Sequence, residues 1–133
     1  MARQQSFEKK LKSFITSTLR RASLRWPARS ECLRAARTSR GLYRCAMCGG
    51  DFKAREVAVD HIRPVVPHSG FDNWDGFINR LFCKPEEMQV LCHADHSSKS
   101  MLEDRVRANL NQVKKEEQKK IIKAAKKVNK DGN

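Results

Sequence analysis

Large apolar side chains recur at helical spacing near the start of the chain, with Lys and Arg between them. They are Phe7, Leu11, Phe14, Ile15 and Leu19. This spacing predicts an amphipathic helix over residues 6–24, with Ser6 as a candidate cap. Pro27 follows Trp26 and suits the first position of a second helix, which we expect to reach about Arg37.

Short apolar segments bounded by turn residues follow in the middle of the chain. Residues 38–41 have the composition of a loop. The alternation over residues 56–62 predicts a strand, which Pro64 and Pro67 end. Residues 88–92 predict a second strand, and the chain therefore mixes helices with strands.

Two further helices are predicted, one before and one after the second strand. Residues 68–86 have the character of an insertion, in which Asp72-Asn73 is a suitable N-cap for a short helix. The apolar positions of that helix are Trp74, Phe77, Ile78, Leu81 and Phe82. A last helix should begin at about Ala94 or Asp95 and continue to residue 130 along a thin apolar stripe. The stripe consists of Leu102, Val106, Leu110, Val113, Ile121, Ile122 and Val128.

Charge is the feature of the composition that most changes this picture. The 133 residues, enough for one ordinary domain, contain 28 Lys and Arg against 15 Asp and Glu, a formal net charge of +13. Residues 1–40 carry a net +9, residues 41–100 a net −1 and residues 101–133 a net +5. Such a basic chain is expected to bind a polyanion, most often nucleic acid and less often an acidic membrane surface.

Neither a membrane span nor export is expected from the sequence. It contains no run of about 18 apolar residues, which a transmembrane helix requires. Its N-terminus lacks the apolar stretch of a secretory signal. The five cysteines, an odd number, therefore indicate reduced thiols or metal ligands in a cytoplasmic protein rather than a disulfide framework.

Three cysteines have the spacing of a zinc knuckle. Cys45 and Cys48, followed by two glycines, can bind one tetrahedral ion, and Cys92 supplies a third thiolate. The fourth ligand is either Asp95, at the position where a second Cys-x-x-Cys would end, or His93. We expect a structural zinc here, and half-buried thiols without a metal are the alternative.

The other two cysteines and one histidine have no such spacing. Cys32 and Cys83 lie among apolar residues and are predicted to be small buried hydrophobic side chains. His68 belongs to a Pro-His-Ser-Gly loop, matches no motif and is expected to be exposed to solvent.

A second group of polar residues combines an Asp-His pair with a His-x-x-Lys pattern. Asp60 and His61 end the first predicted strand, and His96 and Lys99 begin the last helix. A carboxylate and an imidazole from two elements can hold one divalent cation. A neighbouring imidazole can then take a proton from an attacking water. Because successive strand side chains alternate, we expect the chain to bend after the Asp-His pair.

Taken in order, these residues resemble the HNH (His-Asn-His) endonucleases, in the subgroup that carries a zinc knuckle. The sequence is most similar to the small members that tailed bacteriophages encode, closely over residues 43–99 and loosely over residues 26–41. The resemblance implies an α+β fold with a ββα-metal core over residues 41–105. A basic helical arm over residues 1–40 and a basic helical tail over residues 106–133 would flank that core.

The resemblance also implies catalytic roles. His61 matches the general base that activates water. Asp60 and His96 match the ligands of a catalytic Mg²⁺ or Mn²⁺. Lys99 matches a position that often carries Lys and contacts phosphate. The middle Asn of the family is replaced by Glu87, and an ionised Glu can only accept hydrogen bonds.

Further matches concern the bracing of the histidine loop, the zinc and the nucleic acid. Asn79, on the inserted helix, is a candidate substitute for the missing Asn. The residues that match structural zinc ligands are Cys45, Cys48, Cys92 and Asp95, the last in place of a cysteine. The candidate nucleic-acid contacts are Arg44, Arg63 and Lys99.

The function expected from this resemblance is metal-dependent hydrolysis of phosphodiester bonds in DNA, with 5′-phosphate and 3′-hydroxyl products. Similar phage proteins act beside the terminase in genome packaging or behave as mobile genes. The alternatives are a zinc-ribbon module that binds nucleic acid without cleaving it, and a nuclease that acts on RNA. Nicking or double-strand cleavage, and a monomer or a homodimer, are all compatible with the sequence.

Overall fold

The computed structural model describes residues 2–132 as a mixed helical and sheet structure, as the predicted α+β class requires. Within these residues there are four α-helices, α1 (Ala2–Ser23), α2 (Pro27–Ala35), α3 (Trp74–Leu81) and α4 (His93–Asp131). The strands are β1 (Arg37–Ser39), β2 (Leu42–Arg44), β3 (Asp51–Lys53), β4 (Val57–His61) and β5 (Met88–Cys92). Single 3-10 turns, Ala54–Glu56 and Pro85–Glu87, lead into β4 and β5.

The strands form two small antiparallel sheets. β1, β2 and β3 make one sheet in that order, and β4 pairs with β5 in the other. In the second sheet Val57 lies opposite Cys92, and Asp60 lies opposite Gln89. Because α4 starts at His93, directly after β5, its first turns lie beside the last residues of β4. The strand ends at His61, where the expected bend follows.

Both predicted strands of the second sheet are confirmed, whereas the first sheet was not expected. Residues 38–41 were predicted as a loop, but the last two residues of β1 and the turn that leads into β2 occupy this segment. Strands of three residues are too short to show alternation, and the β1–β2 register shifts between Arg37 and Ser39. Gly41 closes the turn at φ 76°, a conformation that favours glycine.

The start of the first helix also differs from the prediction. α1 is already helical at Ala2, so Ser6 lies inside the helix and does not cap it. Residues 2–5 contain no large apolar side chain, and hydrophobic spacing could not place them in the helix. The helix that begins at Pro27 is confirmed and ends at Ala35.

The inserted helix α3 is confirmed together with its cap. The Asn73 side chain accepts a hydrogen bond from the Gly76 amide at 2.7 Å. Arg80 donates to the Val65 carbonyl at 2.7 Å and to the Asp72 carboxylate at 2.6 Å. These contacts tie the loop before α3 to the helix itself, so the insertion forms one packed unit around Phe77.

The core beneath the second sheet contains both cysteines that were predicted to be buried. Cys32 and Cys83 pack with Val57, Met88 and Val90. Burial raises the pKa of the Cys32 and Cys83 thiols, which keeps them in the neutral form at ordinary pH. None of the five cysteines forms a disulfide.

α4 is one continuous helix of 39 residues, about 58 Å long at 1.5 Å per residue. It passes without a break through residue 105, where the predicted core ends. Every residue from 108 to 132 is exposed, including the predicted apolar stripe. No helix in the described chain combines the length and apolar character that crossing a bilayer would require.

Candidate functional site

The Cys45–Gly50 segment forms a tight turn against the second sheet. The Cys45 amide donates to the Gly50 carbonyl at 2.9 Å, and the Gly49 amide donates back to the Cys45 carbonyl at 3.0 Å. Gly49 has φ 73°, which a residue with a Cβ adopts only with strain. The Ala46 amide donates to the Val90 carbonyl at 2.8 Å and fastens the turn to β5.

This turn brings four potential metal ligands together. One ligand atom from each of Cys45, Cys48, Cys92 and Asp95 lies within 4.8 Å of all the others. Asp95 Oδ2 accepts hydrogen bonds from Cys45 Sγ at 3.1 Å and from Cys92 Sγ at 3.3 Å. In a tetrahedral zinc site the sulfurs lie about 3.8 Å apart, so no pair of sulfurs needs to close by more than about 1 Å. The cluster can hold a metal ion such as zinc.

The hydrogen bonds within the cluster shift the pKa of each member. Thiol donation from Cys45, Cys92 and Cys48 lowers the pKa of Asp95. Burial opposes ionisation of Cys45, but the backbone amides of Cys48 and Cys92 outweigh it and lower its pKa. For Cys48 the Gly50 amide favours the thiolate, yet burial and the Asp95 carboxylate raise the pKa to about 11. A cation that enters the cluster would therefore displace thiol protons and meet the Asp95 carboxylate, and Cys45 is the thiol whose pKa shift favours that loss.

His93, the alternative fourth ligand, points away from the thiols. Its Nε2 atom hydrogen-bonds the Arg55 carbonyl at 2.7 Å, and its side chain is exposed. Asp95 is therefore the residue that completes the cluster with the three cysteines.

The Asp-His pair and the His-x-x-Lys pattern also meet in space. Asp60 Oδ1 lies 3.7 Å from His96 Nε2. The other carboxylate oxygen, Oδ2, accepts from Lys99 Nζ at 2.9 Å and from Gln89 Nε2 at 3.2 Å. The Asp60 side chain is only 15% exposed, so these contacts take place in a half-buried environment. Oδ1 is the oxygen that faces the imidazole.

Lys99 is held inside the protein rather than extended into solvent. Its Nζ donates to Asp60 Oδ2, to Glu103 Oε1 at 2.6 Å and to the His61 carbonyl at 3.0 Å. Burial alone would lower the pKa of Lys99, but the carboxylates of Glu103 and Asp60 outweigh burial and raise it. All three ammonium hydrogens thus have acceptors, and the predicted contact with phosphate would require Lys99 to leave them.

The His61 ring is oriented by a backbone carbonyl of the insertion. Its Nε2 atom lies 2.9 Å from the Leu81 oxygen, at the end of α3. Because a carbonyl oxygen can only accept, Nε2 carries the proton in this hydrogen bond. In the neutral ring Nδ1 then has the free lone pair, so His61 has a nitrogen that can accept a proton.

A cavity of about 470 Å³ opens beside these residues. Asp60, His61 and Lys99 line it together with three residues that the sequence analysis did not single out. These three residues are Arg20 on α1 and Glu103 and Arg107 on α4. Only Glu103 had a signal in the sequence, since it lies four residues after Lys99 and can form a helical ion pair. Pro64, Val65 and Val66 form an apolar wall.

Several predicted site residues lie elsewhere. The Glu87 carboxylate accepts from the Lys84 amide at 2.9 Å, and only its backbone carbonyl, which accepts from Ile62, reaches the loop after His61. Asn79 is exposed on α3 and does not line the cavity. The structure therefore brings neither candidate for the missing Asn to the His61 ring.

The remaining candidates also lie outside the cavity around Asp60. Arg44 and Arg63 line two other cavities. His68, predicted to be exposed, is only partly exposed, and its Nε2 atom is buried. The prediction failed because the turn composition around His68 does not reveal that the loop packs between α3 and α4.

Comparison of the chain with protein-family models, with curated proteins and with solved structures finds no match.

Proposed function

We propose that this protein is a metal-dependent endonuclease of the HNH type that hydrolyses phosphodiester bonds in DNA. The observation that carries the proposal is the meeting of Asp60 and His96 at 3.7 Å, together with a cavity that Asp60 and His61 line. The sequence of elements β4, β5 and α4, with the Asp-His pair at the strand end, is the arrangement expected of a ββα-metal core.

The donor set around Asp60 suits Mg²⁺ or Mn²⁺. Two atoms that each lie about 2.1 Å from one octahedral ion can be no more than about 4.2 Å apart. Asp60 Oδ1 and His96 Nε2 satisfy this limit at 3.7 Å. A carboxylate with one imidazole is a mixed oxygen and nitrogen site, whereas the three thiols of the Cys45 cluster favour zinc. When bound, the divalent cation would supply electrostatic stabilisation of the charge that develops on the phosphate oxygens.

In this proposal His61 is the general base. Its Nε2–H donates to the Leu81 carbonyl, which fixes the ring and leaves Nδ1 to take the proton of the attacking water. Leu81 thereby takes over part of the bracing that the family assigns to an Asn. The second brace is the hydrogen bond from the Ile62 amide to the Glu87 carbonyl at 3.1 Å. Both braces use backbone oxygens, so they do not depend on the side chain at position 87.

The Cys45 cluster supports the geometry of this site from the other end of the sheet. Cys92 is the last residue of β5, and Asp95 lies one residue before His96 on α4. A zinc ion held by these residues would fix the start of α4 relative to β4. It would thus fix His96 relative to Asp60.

The test is the conversion of supercoiled plasmid to nicked and linear forms, with Mn²⁺, with Mg²⁺ and with a chelator. We expect wild-type protein to cleave only with a divalent cation. Replacing His61 with Ala should lower the rate by about 10²–10⁴-fold, the usual size of a general-base contribution. His68→Ala is the matched control, because His68 does not line the cavity.

Three outcomes would contradict parts of the proposal. Equal cleavage by wild type and His61→Ala would remove the proposed base. Cleavage of structured RNA in preference to plasmid would make the enzyme a ribonuclease. No cleavage with any cation, together with tight DNA binding, would favour a zinc module that binds nucleic acid, which the Cys45 cluster alone also supports.

A further inference from the structure

The cavity beside Asp60 has lining residues that the proposed hydrolysis does not use. Arg20, near the end of α1, and Arg107, in the fourth turn of α4, both line it. They come from the two basic segments of the chain, and they converge although 87 positions separate them in the sequence. Neither residue belongs to the Asp-His or the His-x-x-Lys pattern.

The protein itself satisfies these two guanidinium groups only in part. Arg20 lies 5.6 Å from the centre of the Phe77 ring and has no carboxylate partner within the described residues. Arg107 donates to the Val66 carbonyl at 3.3 Å and lies 3.6 Å from the exposed Asp104. Its Nε atom is buried and unpartnered within the described chain. A guanidinium has five N–H donors, so both side chains keep N–H groups on their terminal nitrogens that a ligand can meet.

The balance of charge around the cavity favours an anion. Its carboxylates, Asp60 and Glu103, are both engaged by the Lys99 ammonium, at 2.9 Å and 2.6 Å. Lys99 therefore offsets one of these two negative charges. The two positive charges of Arg20 and Arg107 then outnumber the one negative charge that remains. A planar guanidinium matches phosphate oxygens in a bidentate manner, and two of them on one cavity can hold a single phosphate between them.

We propose that Arg20 and Arg107 form a phosphate clamp for the polynucleotide backbone, in the cavity that Asp60 and His61 also line. The inference rests on the proposed function in taking DNA as the ligand. It identifies two residues that hold a phosphodiester beside Asp60 and His61. The arginines position the strand and do not react. Through Arg20, α1 takes part in substrate binding although it lies outside the segment that resembles a nuclease.

The experiment measures binding separately from cleavage. A labelled DNA duplex is titrated with protein in chelator, where no cleavage occurs, over a series of salt concentrations. Arg20→Gln and Arg107→Gln should each lower affinity by about tenfold at 100 mM salt. Each should also make the plot of log affinity against log salt shallower by about 0.9, the loss of one phosphate contact. The double variant should lose about twice that slope.

Matched controls lie on the same helices. Arg21→Gln and Arg105→Gln remove the same charge from exposed positions that do not line the cavity. If each control weakens binding as much as its partner variant, the arginines contribute only general charge and the clamp is refuted. Arg20→Lys and Arg107→Lys should recover part of the affinity, since charge returns without the planar fork.

Plasmid cleavage with Mn²⁺ distinguishes this inference from the proposed function. If wild type cleaves but both arginine variants bind DNA normally, the clamp fails and the nuclease stands. If wild type does not cleave, yet its DNA binding depends on the two arginines and not on the controls, the nuclease fails and the clamp stands. Absence of any DNA binding by wild type overturns the clamp.

Discussion

The Lys99 ammonium and a divalent cation would compete for the same carboxylate. Lys99 Nζ lies 2.9 Å from Asp60 Oδ2, while Asp60 Oδ1 faces His96. A positive charge at this distance lowers the affinity of Asp60 for any second cation, and the half-buried setting weakens solvent screening. Glu103, at 2.6 Å from the same ammonium, draws Lys99 towards itself and away from Asp60.

Two substitutions should therefore move Mn²⁺ affinity in opposite directions. In zinc-loaded protein, Lys99→Met should strengthen Mn²⁺ binding by about tenfold, or about 1.4 kcal/mol. Glu103→Gln should weaken Mn²⁺ binding, because the Lys99 ammonium then has Asp60 as its only carboxylate partner among the described residues. Titration calorimetry measures both, with Lys119→Met as a control that removes an exposed lysine of α4. Weaker Mn²⁺ binding in Lys99→Met would show that Lys99 supports the cation site instead of competing with it.

We expect Asp95 to determine whether the thiol cluster can hold a metal ion. Replacement by Ala removes the fourth ligand and the acceptor of two thiol hydrogen bonds. We expect Asp95→Ala to lose about one zinc per chain, whereas Asp95→Cys should retain it in the four-thiolate arrangement. Elemental analysis of dialysed protein measures this loss. His93→Ala, which removes an imidazole outside the cluster, should keep its zinc, and a loss there would mean that His93 ligates after all.

At the scale of single residues, the sequence predicted those side chains that belong to a local pattern. Cys45 and Cys48 follow from their spacing, Asp95 was one of two candidates for the fourth ligand, and the structure brings all three together. Gln89 was missed, although its place opposite Asp60 follows once β4 and β5 are paired. Arg20 gave no signal, because nothing local shows that the end of α1 returns to the cavity.

Among the short elements, the turn that carries Cys45 and Cys48 depends most on glycine. Gly49 and Gly41 have nearly the same backbone angle, φ 73° and φ 76°, and a Cβ at either would meet no neighbouring atom. Ala at either position should therefore lower the free energy of unfolding by a similar amount, about 1–2 kcal/mol. Only Gly49→Ala should also weaken zinc binding, because only Gly49 lies in the turn that carries Cys45 and Cys48.

Chemical denaturation and a competitive zinc chelator measure the two effects separately. Gly41→Ala serves as the strain-matched control in the β1–β2 turn. Equal zinc affinity in both variants would mean that the turn adjusts without moving the thiols. The positive φ of Gly49 would then matter for the free energy of unfolding and not for zinc binding.

The loop before α3 depends on an ion pair that responds to pH. Hydrogen bonds from Arg80 and from the Asn73 amide lower the pKa of Asp72. A lowered pKa adds stability above the ordinary Asp value of about 4, and this stability is lost as the pH falls through the lowered value. Asp72→Asn should lower the melting temperature at pH 7, and the difference should shrink towards pH 3. A difference that is constant with pH would point to packing instead.

At the scale of elements, length and burial decided which ones the sequence could predict. α3 and β5 combine a dense apolar pattern with a cap or a motif, and both lie where they were predicted. β1 lies on the surface with all three residues exposed, so it has no buried side to produce alternation. β3 is equally short. Such strands exist because their neighbours pair with them, which a local pattern cannot show.

Over the whole molecule, the distal part of α4 adds charge without adding core. From residue 108 onwards every described position is exposed. The last hydrogen bond from α4 to another part of the described chain is the one that Lys114 donates to the Ser69 carbonyl. The periodicity predicted an apolar stripe here, but a stripe does not reveal whether anything covers it. Within the described chain it is uncovered, so the contribution of this segment to folding must be small.

Removal of residues 116–133 should therefore separate folding from DNA binding. The truncated chain loses six lysines and three acidic residues, and its free energy of unfolding should change by less than about 0.5 kcal/mol. Its affinity for a DNA duplex in chelator should fall by about tenfold, with a shallower dependence on salt. Denaturation and fluorescence anisotropy measure the two quantities.

A full-length variant shows whether charge or the apolar stripe causes that loss. It carries Gln at the six lysines, which are Lys119, Lys120, Lys123, Lys126, Lys127 and Lys130. If phosphate contacts account for the affinity, this variant should bind as weakly as the truncated chain, because both lack the same cations. Replacing Ile121, Ile122 and Val128 with Gln should leave binding unchanged. Wild-type affinity in the lysine variant, together with weak binding in the apolar variant, would instead make the stripe the part of α4 on which DNA binding depends.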